Sequence, residues 1–139
     1  MLVILDSNVL FSAILAPSGP SALIHQAWRQ KRFELATCIE QIEEIRKASR
    51  YPRFRAALQP HRFGTLINNL TRATVWMRPV PKLHIADDPG DSFLLNLAEA
   101  VKAHYLVTGD KRSHLLDLRN VGGTRILTPR QFCIQVLQL

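Results

Sequence analysis

The sequence has no apolar run as long as the roughly 18 residues that a membrane-spanning helix needs. Its first apolar segment, residues 2–5, is too short for the central part of a signal peptide and is interrupted by Asp6. Internal repeats, low-complexity segments and recognisable linkers are absent as well. We therefore expect a single cytoplasmic domain that spans residues 1–139.

Residues that could cross-link the chain or bind a soft metal are scarce. The two cysteines, Cys38 and Cys133, are far apart and lie in apolar segments. In a reducing compartment such cysteines are expected to be buried thiols rather than a disulfide. The five histidines show none of the spacings typical of zinc ligands. The hydrophobic content of 47% predicts a fold that is stabilised by an apolar core instead.

Acidic residues are few compared with basic ones. The chain has 11 Asp and Glu against 18 Lys and Arg, which gives a formal net charge of +7. A surface with this charge attracts polyanions, so RNA or DNA is the favoured partner. A generic basic protein, or one that docks an acidic protein, is the alternative.

Short apolar segments alternate with amphipathic segments along the whole chain. Strands are predicted at residues 2–5, 33–37, 74–77, 105–107 and 125–127. Helices are predicted from Ser18 or Ser21 to about residue 31, over residues 39–50 and 53–73, from Pro89 behind an N-cap at Asp88, and from Pro129 behind Thr128. A proline-rich connector is expected at residues 79–89. This alternation is typical of an α/β protein. We therefore expect a three-layer α/β/α sandwich with a mostly parallel sheet of about five strands.

Two aspartates follow predicted strands. Asp6 comes after the first strand, and Asp110 comes shortly after the fourth. Because the carboxyl ends of parallel strands meet at one edge of an open sheet, we expect these carboxylates to lie side by side. Clustered carboxylates repel one another unless a cation joins them, and Mg²⁺ and Mn²⁺ prefer oxygen ligands. Each aspartate could instead serve only its own turn. Three short polar residues would support a metal site here: Ser7, Asn8 and Thr108.

Two further acids are candidates for the same site. Asp91 lies three residues before Leu94 and seven before Ala98, which places it on the buried side of its predicted helix. A capping role at the start of that helix explains Asp91 equally well. Glu43 and Glu44 flank the apolar side of their predicted helix at similar angles, so helix periodicity does not choose between them. The residues alone leave both assignments open.

Four segments of the sequence resemble motifs of the PIN-domain nucleases. They are, in chain order and at family-like spacing, Asp6-Ser7-Asn8-Val9, Asp88-Pro89-Gly90-Asp91, Leu106-Val107-Thr108-Gly109-Asp110-Lys111 and Ile126-Leu127-Thr128-Pro129. The resemblance covers essentially the whole chain. The motifs are similar to those of the bacterial branch that contains VapC-like toxins of toxin–antitoxin systems.

The resemblance implies an enzyme, a cofactor and partners. It implies a ribonuclease in which Mg²⁺ or Mn²⁺ is held by four carboxylates, those of Asp6, Glu44, Asp91 and Asp110. It selects Glu44 over Glu43, because the family pattern places its acid directly before Ile or Leu, as in Glu44-Ile45. It also implies a small antitoxin as protein partner and a homodimer.

The sequence departs from the family pattern at two positions. Arg112 stands where many relatives carry another acid, which puts a fifth metal-binding carboxylate in doubt. Cys38 stands where relatives often carry Ser. Neither departure touches the four predicted carboxylates.

Basic residues cluster after Glu44, interleaved with Tyr51 and Phe54. We expect five of them to bind RNA phosphates while the aromatic rings stack on bases, namely Arg46, Lys47, Arg50, Arg53 and Arg55. A solvated basic helix surface is the alternative interpretation.

Two other functions are compatible with parts of the pattern. An aspartate-based phosphatase would also place an acid after the first strand, but it would want a second acid where this chain has Asn8. A non-catalytic module would bind RNA or an acidic partner without cutting it. Metal-dependent RNA cleavage distinguishes the nuclease from both.

Overall fold

The computed structural model describes residues 1–57, 60–72, 75–77, 89–109 and 115–139. Within these ranges the chain forms one mixed sheet with helices on both sides. The expected connector at residues 79–89, apart from Pro89, and the N-cap at Asp88 lie outside the described residues.

The sheet has six strands in the order β3-β2-β1-β4-β6-β5. Their bounds are β1 Leu2–Leu5, β2 Glu34–Cys38, β3 Val75–Met77, β4 Tyr105–Val107, β5 Asn120–Val121 and β6 Thr124–Leu127. In the described part of the sheet the neighbouring pairs β3–β2, β2–β1, β1–β4 and β4–β6 are parallel. The remaining pair, β6–β5, is antiparallel. The mostly parallel α/β sheet is therefore confirmed, with one strand more than expected.

The extra strand, β5, is a two-residue hairpin partner of β6. Gly122 lies in the connecting turn with φ +55°, a conformation that residues with a Cβ rarely adopt. Two residues are too few to produce an alternating apolar pattern, so only the Gly122-Gly123 turn signalled this hairpin in the sequence.

The helices run as α1 Ser7–Leu15, α2 Pro20–Arg29, α3 Ile39–Ala48, α4 Pro52–Ala57, α5 Pro60–Thr71, α6 Pro89–Val101, α7 Leu115–Leu118 and α8 Pro129–Phe132, with a π-helical turn at Cys133–Leu137. The long helix expected over residues 53–73 is two helices. Pro60 begins the second one, because proline has no backbone N–H and fits only the first turn of a helix. The expected start of α8 is confirmed, since Thr128 and Gln131 form a reciprocal capping box.

Helix α1 was not expected from the sequence. Five of its nine residues are buried, so its apolar residues do not form a one-sided stripe. Its start signal is Asp6, whose side chain accepts a hydrogen bond from the backbone N–H of Asn8. The aspartate therefore caps a helix as well as ending a strand.

The core consists of two apolar clusters on opposite sides of the sheet. Val3 and Leu5 of β1 belong to the cluster beneath α1, α2, α3 and α5. Ile4 of β1 belongs to the other cluster, which is covered by α6 and α7. Successive residues of one strand thus enter different clusters, as a sheet between two helical layers requires. The three-layer arrangement is confirmed.

No single helix within the described ranges is long and apolar enough to span a membrane. Helices α1 and α2 pass that test only as a pair, by length and composition, and they are bent by 99° at the break between them. Apolar side chains of both helices belong to one core cluster, among them Leu10 and Ile24.

Candidate functional site

Asp6 lies where β1 ends and α1 begins, and it is 7% exposed. Its backbone N–H donates to the carbonyl oxygen of Val107 over 2.9 Å, which continues the pairing of β1 with β4. The hydroxyl of Thr108 donates to Asp6 Oδ2 over 2.7 Å, and the backbone N–H of Asn8 approaches Oδ1 at 3.5 Å. The strand pairing and the helix start together fix the orientation of this carboxylate.

The hydroxyl of Ser7 adds an unusual feature beside Asp6. Ser7 is 2% exposed, and in the described part of the chain its Oγ is the one buried side-chain polar atom without a hydrogen-bond partner. A buried polar group without a partner costs about 1–3 kcal/mol, so native folds retain few of them. Asp6, Ser7 and Thr108 present oxygen atoms only, and these are the ligands that Mg²⁺ and Mn²⁺ prefer. The residues at this strand end therefore fit a hard cation.

Helix α3 carries the second predicted acid. Glu43 is exposed, whereas Glu44 is half-buried. The buried side of α3 consists of Gln41, Ile42, Ile45 and Ala48. The partial burial distinguishes the two glutamates, which periodicity had not done, but the metal-binding role of Glu44 stays a prediction.

The side chains of the other two predicted ligands, Asp91 and Asp110, lie outside the described part of the chain. Asp110 lies outside the described residues, and Asp91 is described only as part of the backbone of α6. Among the side chains that are described, no three His, Cys, Asp or Glu come close enough to hold a metal. Only the side chains of Asp6 and Glu44 are described among the four predicted carboxylates, so the four-carboxylate site stays a prediction.

An open cleft of about 430 Å³ includes Asn8 and Gly109, which lie close in sequence to Asp6 and Thr108. It is lined by Asn8, Val9, Phe11, Ser12, Leu15, Ser21, Arg53, Phe54, Gly109 and Pro129. Asn8 and Gly109 connect the cleft to the strand ends of β1 and β4. The guanidinium carbon of Arg53 lies 4.7 Å from the ring centre of Phe54, within range of a cation–π interaction. Arg53 and Phe54 therefore line the cleft from α4. The expectation that Phe54 stacks on bases is wrong, because its ring is 4% exposed and packs in the core against Phe11 and Phe63.

The five predicted RNA-binding residues are all exposed, but they do not share one surface feature. Arg53 lines the cleft. Arg46, Lys47, Arg50 and Arg55 are exposed on α3, α4 and the turn between them, outside the cleft lining. The structure therefore places Arg53 in the lining of the cleft and the other four outside that lining.

Gln41 is a residue of this region that the sequence interpretation missed. Its carboxamide nitrogen donates to the carbonyl oxygen of Leu5 over 2.6 Å, and its carboxamide oxygen accepts from the hydroxyl of Thr37 over 2.6 Å. A glutamine on the apolar side of α3, between Thr37 and Ile45, was the available sequence signal. A polar residue at such a position needs buried partners.

Both cysteines are free and buried, as expected. Burial raises the pKa of the Cys38 thiol from its ordinary 9.0 to about 12, partly opposed by a backbone hydrogen bond at Gln41 and increased by the negative charges of Glu40 and Glu44. Cys38 is therefore a neutral thiol over the physiological pH range, and it does not act as a nucleophile or anionic ligand.

Comparison with protein families gives a match that includes this site. A family model described as PIN domain matches residues 2–112. None of the curated proteins matches the chain. The matched segment begins in β1, contains Asp6, Glu44, Asp91 and Asp110, and ends at Arg112.

Proposed function

We propose, from the premise that this chain belongs to the PIN domain family, that it is a metal-dependent ribonuclease. PIN domains are generally nucleases, which are hydrolases, and the fold of this chain is the corresponding α/β/α fold. The observation that carries the proposal is the set of oxygen atoms at the end of β1, where the buried carboxylate of Asp6 is followed in sequence by the buried Ser7, whose hydroxyl has no hydrogen-bond partner among the described residues. Such a set is suited to a divalent cation.

Four residues would hold the cation in this proposal, namely Asp6, Glu44, Asp91 and Asp110. Bound Mg²⁺ or Mn²⁺ would supply a Lewis acid that activates water and offsets the charge that builds on the phosphate. The chain's own contribution is orientation. The hydroxyl of Thr108 and the backbone N–H of Asn8 hold the Asp6 carboxylate in one direction before substrate arrives.

RNA is the proposed substrate because of the charge beside the site. Residues 7–33 and 45–86 contain no Asp or Glu. The first range includes helices α1 and α2, and the second includes α4 and α5. Arg53 in the cleft would bind a phosphate, and the exposed Tyr51, rather than the buried Phe54, would offer an aromatic surface for a base. The exposed Arg46, Lys47, Arg50 and Arg55 would attract more distant phosphates.

We further propose that the enzyme is the toxin of a toxin–antitoxin pair and acts in the cytoplasm. The motifs that resemble VapC-like toxins support this role, and a basic protein has an electrostatic means of binding an acidic antitoxin. A homodimer is part of the same proposal. Expression of the wild type alone should slow growth, and Asp6→Asn at the same soluble level should relieve the effect. Equal growth of the two strains would contradict the toxin role.

Incubation of the purified protein with mixed RNAs tests the nuclease proposal. We expect cleavage with Mn²⁺ and none with EDTA. Glu44→Gln should abolish cleavage, while Glu43→Gln, its neighbour on the exposed side of α3, should retain most of it. RNA binding without metal-dependent cleavage would favour the non-catalytic module instead, and the opposite ranking of the two variants would move the site by one residue.

A further inference from the structure

Gln41 is a buried polar side chain in an otherwise apolar position. It is 1% exposed and lies on the buried side of α3, where Ile42 is 1% and Ile45 0% exposed. Burying a carboxamide is unfavourable unless each of its polar groups is hydrogen-bonded. Its retention here therefore depends on the partners that it meets.

The two hydrogen bonds of Gln41 join three elements. The Thr37 hydroxyl in β2 donates to Oε1, and Nε2 donates to the carbonyl oxygen of Leu5 in β1, both over 2.6 Å. Gln41 itself belongs to α3. Thr37 and Leu5 are 0% and 1% exposed, so no bulk water competes for these bonds.

The position of this connection relates it to the site. Pairing between β1 and β2 includes Leu2 with Glu34 and Val3 with Leu35, in the first half of β1. The Gln41 bond reaches β1 two residues farther on, at Leu5, whose peptide group leads directly into Asp6. In the other direction Glu44 follows Gln41 by three residues, about one helical turn.

We propose that Gln41 is a positioning residue that fixes the end of β1, and with it Asp6, relative to the turn of α3 that carries Glu44. This positioning role rests on the proposed function, because the relative position of Asp6 and Glu44 matters only if both bind one cation. Gln41 does not contact the cation in this scheme. It acts through the backbone of Leu5 and the helix that it shares with Glu44.

Gln41→Met tests the proposal, because methionine has a similar length and no hydrogen-bonding carboxamide. Thr124→Val is the matched control, since the Thr124 hydroxyl makes a buried 2.6 Å hydrogen bond to the carbonyl oxygen of Ala103, at the opposite end of the sheet. The measurements are the Kd for Mn²⁺ by calorimetry, and kcat and KM for RNA cleavage at saturating Mn²⁺. Gln41→Met should raise the Mn²⁺ Kd by about 10- to 100-fold and lower kcat with little change in KM. Thr124→Val should lower the melting temperature without changing the Mn²⁺ Kd.

A milder pair of variants keeps the test decisive if Gln41→Met does not fold. Thr37→Val removes the hydroxyl that holds Oε1, and Thr37→Ser restores it. The valine variant should weaken Mn²⁺ binding in the same direction as Gln41→Met but less, and the serine variant should bind like the wild type. An unchanged Mn²⁺ Kd in a folded Gln41→Met or Thr37→Val protein, or an equal change in Thr124→Val, would overturn the positioning role.

Hydrogen exchange separates this proposal from the nuclease proposal. If the wild type binds no Mn²⁺, the metal-dependent function fails, and the metal-free protein then decides the role of Gln41. The backbone N–H of Asp6, which donates to Val107, should exchange faster in Gln41→Met and at the wild-type rate in Thr124→Val. Unchanged exchange at Asp6 in Gln41→Met would show that the connection does not hold this strand end.

Discussion

Two threonine hydroxyls make buried hydrogen bonds of similar length at opposite ends of the sheet. At the amino end, Thr124 donates to the carbonyl oxygen of Ala103 over 2.6 Å. At the carboxyl end, Thr108 donates to the carboxylate of Asp6 over 2.7 Å. The first bond satisfies a neutral backbone group that folding has to bury, whereas the second orients a carboxylate that also caps α1. The carboxyl end therefore collects carboxylate and hydroxyl oxygens, and among the described residues the Ser7 hydroxyl has no hydrogen-bond partner.

The largest expected difference between the two ends is in catalysis. Asp6→Asn should reduce RNA cleavage by at least about 100-fold, because loss of a direct ligand exceeds the 10- to 100-fold effect of outer partners. Without metal it should unfold at a similar or higher urea concentration, since a buried charge is removed. Thr124→Val should do the reverse and lose about 1–3 kcal/mol of stability while cutting RNA at the wild-type rate. Cleavage assays and urea unfolding of Asp6→Asn and Thr124→Val measure these differences. Cleavage at the wild-type rate by Asp6→Asn would contradict the catalytic difference between the two ends of the sheet.

A smaller effect is expected from the bond that orients Asp6. Mn²⁺ should raise the melting temperature of the wild type, because a ligand at 100 times its Kd adds about 2.7 kcal/mol to the free energy of unfolding. Thr108→Val should show a smaller Mn²⁺ shift, and Thr108→Ser should restore it. The shift of Thr124→Val should equal that of the wild type. Equal shifts in all four proteins would mean that the Thr108 hydroxyl serves folding only.

Substrate binding should distinguish two arginines on the same short helix. Arg53 lines the cleft and Arg55 does not, although both are exposed. Arg53→Gln should weaken binding of single-stranded RNA several-fold and reduce the slope of log K against log salt by about 0.7, the value for one lost phosphate contact. Arg55→Gln should change both less. Affinity measured over a range of salt concentrations decides this, and equal slopes would place the RNA path outside the cleft.

At neutral pH the smallest effect is that of Cys38, whose contribution to the pH dependence of stability appears only above about pH 9. The folded thiol has its pKa raised to about 12, while the unfolded thiol ionises from about its ordinary 9.0. Between these values the unfolded chain binds fewer protons than the folded one, so the free energy of unfolding should fall as pH rises. The slope is at most about 1.4 kcal/mol per pH unit. Cys38→Ala should have a shallower slope over this range in urea unfolding, and an identical slope would show that the thiol ionises alike in both states.

The sequence predicted those elements whose signals are local. Residues 2–5 and 105–107 are short apolar runs, and they are β1 and β4 with the expected bounds. The Thr128 cap and Pro129 marked the start of α8. Helix α1 was missed because burial on several sides removes the one-sided stripe by which a surface helix is recognised.

The site was less predictable because its geometry depends on contacts between distant residues. The order of residues places Asp6 at a strand end, but only the pairing of β1 with β4 brings Thr108 to its carboxylate. In the sequence Gln41 is one of several polar residues of a predicted helix. Only the fold brings its carboxamide to the Thr37 hydroxyl and the Leu5 carbonyl. Glu43 and Glu44 are equivalent by periodicity, and partial burial separates them only in the folded protein.

The long sequence separation between Asp6 and Thr108 limits how early during synthesis their hydrogen bond can form. These residues are 102 positions apart, so their hydrogen bond has to wait until a ribosome has made the intervening chain. At about 5–20 residues per second, Asp6 waits roughly 5–20 s for its partner. During most of its own synthesis, the emerging chain therefore carries Asp6 without the Thr108 hydroxyl that orients its carboxylate.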